Sequence, residues 1–380
     1  MTLALRSAHR TPLFDNYDDP AKYINNPLWV AAIFGARGDF CRDRTGVLNR
    51  FGIYRTTPVP EWTLKVTDKQ RNIADIINER ARFLIDSIDR PITVLWSGGV
   101  DSTLIMCALI SNGIPRDKLK VYCTRDSVEE APNFMEFVKS CGYEINPKSA
   151  GYVRRDFDRN HGDSFILSGD GADQLFGSVY GLRSAFLHGM NWVDAWRLCF
   201  STQISRTLPN DDAFEFLQDW MDKYSGRRIE TFGEFLWWIN FALKYDAITE
   251  HFRLEFEGRY DSHQGSFFDT VEFQQWSMNN FPSIREHNQW LSHKHYKEPF
   301  KNYIYSVWHD SDYRDHKGKR GSWNFHYFHN TMLGKLIVHD SEGFKTLRYD
   351  GYDRDTQYLC RGSRAKIAEL LKPYRKEAGE

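Results

Sequence analysis

With 380 residues and a formal net charge of -1, the chain is long enough for two domains with large cores, and it has no global basic field to attract nucleic acid. No run of about 18 apolar residues is present to span a membrane, and MTLALRSAHR has no long apolar stretch of the kind a signal peptide needs. The six cysteines (Cys41, Cys107, Cys123, Cys141, Cys199 and Cys360) form no C-x-x-C pair, which predicts reduced, mostly buried thiols in a cytoplasmic protein.

In chain order, residues 1–66 read as a small mixed segment. WVAAIF (29–34) and GVLNRFGIY (46–54) look like short strands parted by Gly, Arg and Asp, and Pro58 and Pro60 mark a linker. A helix is expected from Thr67, which can cap it; Ile73, Ile76, Ile77, Phe83, Leu84 and Ile88 then recur at helical spacing. After Pro91, ITVLW is a continuous apolar run of the kind found in a strand buried on both faces. STLIMCALIS reads as a helix ending near Gly113 and Pro115. KVYCT (120–124) is a strand, EEAPNFMEFVKSC (129–141) a helix, YEINP (143–147) a weaker strand and SFILS (164–168) a stronger one. Alternating strands and helices predict an α/β fold, a doubly wound parallel sheet over residues 67–180, with ligands at the carboxyl ends of its strands. From 181 to 380 long aromatic-rich helical segments predict a mostly helical domain: NWVDAWRLCF, DDAFEFLQDWMDKYS and FGEFLWWINFALKYDAITEHF.

Between the first strand and its helix lies SGGVDS: Ser97, Gly98, Gly99, Val100, Asp101 and Ser102. Glycines let backbone N–H groups approach an anion, and the helix N-terminus adds more donors and a positive dipole end. Ser97 and Ser102 add hydroxyls. Asp101 is unfavourable beside phosphate unless a cation lies between, and Mg²⁺ takes carboxylate and phosphate oxygens together. No G-K-[ST] follows, so this is not a Walker loop, and it is not G-x-G-x-x-G. A second stretch, LSGDGADQLFG (167–177), again follows an apolar strand. It offers Ser168, Gly169, Asp170 and Gly171, and Asp173 is the partner acid that could share Mg²⁺ with Asp101.

SGGVDS resembles the pyrophosphate loop of the ATP pyrophosphatase superfamily, whose fold is adenine nucleotide alpha hydrolase-like. SGDGADQLFG resembles the S-G-[ED]-G-[AS]-D-E-L-F-G stretch of asparagine synthetases and β-lactam synthetases, with Gln174 in place of the usual Glu. The resemblance covers roughly residues 67–330. It implies ATP and Mg²⁺ as cofactors and an AMP-forming amide ligase acting on a small-molecule carboxylate and ammonia or an amine. It further implies that SFFD (266–269) matches a helical P-F-L-D-like tetrad, with the general base before it at Asp261 or, second, Glu257. HKGKRGSW (316–323) resembles the R-x-K-x-G-F stretch that carries a charge-stabilising lysine: Lys319 fits best and Lys317 is the alternative. Adenine is expected beside the second strand, near Val121 and Cys123, with Arg125, Arg154 and Arg155 as weaker phosphate or carboxylate contacts. The family's N-terminal glutaminase domain and its Cys at position 2 have no counterpart, because position 2 is Thr and fewer than a hundred residues precede the loop. Nitrogen is therefore expected from free ammonia, a substrate amine or a separate amidotransferase partner.

Overall fold

The computed structural model describes residues 25, 27, 30–31, 43–48, 61–145, 163–177, 188–200, 209–246, 248, 264–286, 295–317, 335–340 and 343–348. Its elements, in chain order, are α1 (Ile73–Ser87), β1 (Ile92–Leu95), α2 (Val100–Ser111), β2 (Leu119–Tyr122), α3 (Arg125–Glu130), α4 (Pro132–Ser140), β3 (Phe165–Ser168), α5 (Ala172–Phe176), α6 (Trp192–Phe200), α7 (Asp211–Ser225), α8 (Phe232–Ile239), β4 (Gln264–Ser266), α9 (Val271–Glu286), α10 (Glu298–Trp308), α11 (Ser311–His316), β5 (Lys335–Asp340) and β6 (Gly343–Arg348). Two compact units divide the chain. One comprises Val66–Phe176 and Ile248–Phe325; the other comprises Met1–Lys65, Gly177–Ala247 and His326–Glu380.

The first unit is α/β. Its sheet has the order β2-β1-β3-β4, and every pairing is parallel. ITVL is buried on both faces because both are covered, and Ile92 and Val94 are fully buried. From β1 the chain moves to β2 on one side and later returns to β3 on the other, so the segments leaving β1 and β3 emerge side by side. The one polar side chain in β1, Thr93, shares a 2.8 Å hydrogen bond with Ser164, so neither buried hydroxyl loses its partner.

α2 is apolar on all sides and buried throughout residues 102–109, as a helix covered by others must be. α1 and α10 pack on it. The α1 contribution is an i, i+3, i+4 stripe of Ile73, Ile76, Ile77, Ala81 and Leu84. α10 is tied down by Tyr303, whose hydroxyl donates to Asn78 Oδ1 at 2.6 Å. α9 packs on α5 and α1, and its Ser277 hydroxyl donates to the Leu175 carbonyl at 2.6 Å.

Several expectations need correction. α1 begins at Ile73 with Asn72 as its cap, not at Thr67, whose N–H instead bonds Asn279 Oδ1 at 2.9 Å. Phe83 faces solvent at 57% exposure, with the Arg80 guanidinium over its ring at 5.6 Å. The helix expected over 129–141 is broken at Ala131, because Pro132 opens a new helix as its first residue. Residues 143–145 form no strand. SFFD is not helical: it runs off β4, a fourth strand absent from the sequence reading, and its helix starts only at Val271. Val30 and Ala31, read as strand, are helical.

The second unit holds α6, α7 and α8 with an aromatic core that includes Trp192, Trp196, Phe214, Phe235, Trp237 and Trp238. Trp192 stacks on Phe235 at 4.8 Å. α8 opens with a capping box: Thr231 accepts from the Glu234 N–H, and the Glu234 carboxylate accepts from the Thr231 N–H at 2.8 Å. It continues as a π-helical turn, Asn240–Lys244. Arg44 is boxed by Trp62, Phe241 and Tyr245 and paired with Asp246 at 3.0 Å. β5 and β6 form an antiparallel hairpin, which the helical reading of 181–380 did not include. Among the described residues no helix is long and apolar enough to cross a membrane, and Cys107, Cys123 and Cys141 are free thiols.

Candidate functional site

The segment SGGVDS turns from β1 into α2. Gly98 adopts φ +76°, a left-handed conformation open to glycine at little cost, and a Cβ there would stand 2.4 Å from the Ser127 carbonyl oxygen. The loop is braced internally: the Ser97 N–H donates to Ser102 Oγ at 3.0 Å, and the Gly99 N–H donates to Ser97 Oγ at 3.2 Å. Gly99 is the N-cap of α2 and provides no side-chain cap, so the first turn of a 12-residue helix, with Val100 and Asp101 in it, presents its backbone N–H groups unscreened by a capping side chain.

The second segment leaves β3, the strand next to β1. The Asp170 N–H reaches Ser168 Oγ at 3.4 Å, Gly171 turns at φ +88°, and Asp173 falls in the first turn of α5. β4 supports this loop, because the Ser266 hydroxyl donates to the Asp170 carbonyl. The two loops touch. A Cβ on Gly169 would lie 3.2 Å from Asp101 Cβ, so only glycine leaves the Asp101 side chain its present place.

A single cation joins the two acids. Lys297 Nζ lies 2.5 Å and 2.7 Å from the Asp101 carboxylate oxygens and 2.6 Å from Asp173 Oδ1. The lysine side chain is 3% exposed, whereas those of Asp101 and Asp173 are 28% and 41% exposed. Burial works against the Lys297 charge, but the two carboxylates outweigh it and hold its pKa above the ordinary lysine value. Tyr296 donates its hydroxyl to Asp173 Oδ1 at 2.9 Å; burial, then the neighbouring carboxylates, push that phenol well up. Lys297 has φ 56°, a left-handed conformation that costs a non-glycine residue about 1–3 kcal/mol.

Two more lysines belong to this neighbourhood. Lys317, which follows α11, pairs with Glu130, the last residue of α3, at 2.5 Å. Lys301, one turn after Lys297 on α10, is buried and its pKa falls to about 8, through burial first and then the charges of Lys317 and Lys297. The Tyr313 hydroxyl donates to the Gly98 carbonyl at 3.3 Å, which holds α11 to the first loop.

Asp101 and Asp173 offer hard carboxylate oxygens of the kind Mg²⁺ takes alongside phosphate oxygens, but here the Lys297 ammonium stands between them. Among the described residues no group of three or more His, Cys, Asp or Glu side chains is placed to hold a metal.

The residues expected from sequence are brought together in part. Ser97, Gly98, Gly99, Val100, Asp101 and Ser102 lie beside Ser168, Gly169, Asp170, Gly171 and Asp173 at the carboxyl ends of neighbouring strands. Val121 sits in β2 and Cys123 just beyond it, on the other side of β1. The Cys123 thiol is pushed up to about 12 by burial. Gln174 is buried in α5. Asp261, Glu257, Lys319, Arg154 and Arg155 lie outside the described residues, as does the side chain of Arg125. Sequence reading missed Lys297, Tyr296, Lys301 and Glu130. Lys297 directly precedes Glu298-Pro299, a helix start, and no spacing rule ties it to acids more than a hundred residues upstream.

No family model matches the chain, and no curated protein matches it.

Proposed function

We propose that this protein is an ATP-dependent, AMP-forming carboxylate–amine ligase, built on a doubly wound sheet and resembling asparagine synthetases. The observation that carries the reading is the meeting of the two glycine–acid loops, with Asp101 and Asp173 sharing one cation. The loops leave β1 and β3, between which the strand order reverses, and such a switch point is where open α/β sheets bind ligands.

In this reading the SGG backbone and the α2 N-terminus hold the β- and γ-phosphates, with Ser97 and Ser102 braced against each other to keep the loop open. Asp101 and Asp173 would hold Mg²⁺, which neutralises the pyrophosphate leaving group when bound. A substrate carboxylate oxygen attacks the α-phosphorus; the bond to the β-bridging oxygen breaks and pyrophosphate leaves with its electron pair. The amine then attacks the acyl carbon and AMP departs, while Asp261 or Glu257 takes the amine proton. Lys319, or Lys317 as the alternative, stabilises the charge that develops in both steps.

The test is ATP–pyrophosphate exchange in a screen of carboxylates, with ammonia and amines added in a second stage. Asp101→Ala should abolish exchange while the protein stays folded. Full exchange by that variant would remove the metal role and the reading with it.

One observation favours a second reading. An ammonium between Asp101 and Asp173 is compatible with a nucleotide-binding protein that performs no turnover, and Gln174 replaces an acid of the resembling family. Tight ATP binding with no pyrophosphate release over hours would favour that reading. A tRNA- or nucleobase-modifying role is distinguished by filter binding of tRNA.

A further inference from the structure

We propose that Glu130 is a positioning residue that holds the Lys317 ammonium against the SGG loop. The inference rests on the ligase reading above. Lys317 Nζ and Glu130 Oε1 are 2.5 Å apart, with the two side chains only 6% and 4% exposed. Glu130 also packs under the loop itself, since a Cβ on Gly98 would lie 3.0 Å from Glu130 Cβ. From the other side Tyr313 bonds the Gly98 carbonyl, and Lys317 lies 5.8 Å over the Tyr313 ring. Gly98, Glu130, Lys317 and Tyr313 therefore close a ring of contacts that links α3, α11 and the loop.

Stability alone does not account for a charged pair at this place. Removing two charges from water is costly, and apolar residues of similar volume commonly do as well or better. The charge of Lys317 has its use in what the loop binds. A lysine has a long, flexible stem that costs rotamer entropy to fix in place. Glu130 fixes it before the ligand arrives, so no reorganisation is needed when phosphate charge develops. Lys301 and Lys297 are close enough to feel the same field, because Lys301 is depressed in part by both Lys317 and Lys297.

The test uses the full-length protein, with magnesium pyrophosphate and MgATP as calorimetric probes and urea unfolding as a separate readout. Glu130→Gln and Lys317→Met should each weaken pyrophosphate binding by about tenfold. The double variant E130Q/K317M should be no weaker than K317M alone, because Glu130 acts through Lys317. Glu130→Asp, which keeps the charge, should recover part of the loss. Glu130→Gln should also lose stability by leaving a buried ammonium without this carboxylate. The apolar pair E130M/K317M should restore the urea midpoint and yet leave pyrophosphate binding weak. Wild-type binding by E130M/K317M, or an equal effect of Glu130→Gln with and without Lys317, overturns the proposal and leaves the ligase reading standing. Failure of the wild-type protein to bind either probe overturns both.

Discussion

Gly169 lies directly on the side chain of Asp101, so close that a methyl group on Gly169 would stand 3.2 Å from Asp101 Cβ. These residues are 68 positions apart, and their contact is where the two glycine–acid loops become one site. The parallel pairing of β1 with β3 makes it possible, since two strand ends that leave the sheet side by side must deliver their loops to one edge.

That contact predicts an effect for Gly169→Ala. Its backbone is not left-handed, so the substitution should fold, but the added methyl must displace Asp101. Pyrophosphate exchange should fall by about 100-fold, as when one group aimed at developing charge is lost. Circular dichroism and the urea midpoint should change little. Unaltered exchange would show that the spacing of the loops does not matter.

Gly98→Ala should behave differently. It meets both a φ of +76° and a carbonyl oxygen at 2.4 Å. The left-handed backbone costs about 1–2 kcal/mol and the overpacking about 1–3 kcal/mol more. A urea midpoint well below that of Gly169→Ala is the expected result.

Lys297 and its two acids should show an asymmetry. Lys297→Met leaves Asp101 and Asp173 facing each other, but both reach water, so screening limits the cost to about 1 kcal/mol. The double variant D101N/D173N leaves a buried ammonium without either carboxylate, and breaking a buried pair this way costs about 3–5 kcal/mol. Urea unfolding of the two variants should therefore rank the acid double variant as the less stable. The reverse order would place the lysine at the surface.

His188, in the second unit, predicts an acid limb in stability. Burial lowers its pKa to about 3, against 6.5 ordinarily. The unfolded chain thus binds a proton below pH 6.5 that the folded protein refuses until about pH 3, and stability is lost as pH falls through that window. At pH 5 the loss from this residue is about 2 kcal/mol relative to pH 7. His188→Gln should flatten the profile of urea midpoint against pH between 6.5 and 4, after allowance for its own packing cost.

Much of the sheet unit was legible because its signals are local. ITVL and FILS are short apolar runs, each followed by glycine with an acid close behind. β4 was not legible: Gln264, Gly265 and Ser266 have no strand character of their own, and they become a strand by pairing with β3. The break at Ala131 is signalled by Pro132, but the apolar period continues across it and hides the signal. Phe83 misled for the opposite reason, since it fits the apolar period of α1 but lies on the face that no other element covers.

By itself the sequence determined the β–loop–α units, the glycines at Gly98 and Gly171 that the turns require, and the acids Asp101 and Asp173, since each depends on residues within a few positions of one another. Only the tertiary structure decided that those acids face one lysine, and that the lysine is Lys297. It also decided that Glu130 lies under the loop with Lys317 on it. The three ion pairs join residues 124 to 196 positions apart. A charge carries no record in the sequence of which distant charge it will meet; that is set by strand order and by the helices packed around α2.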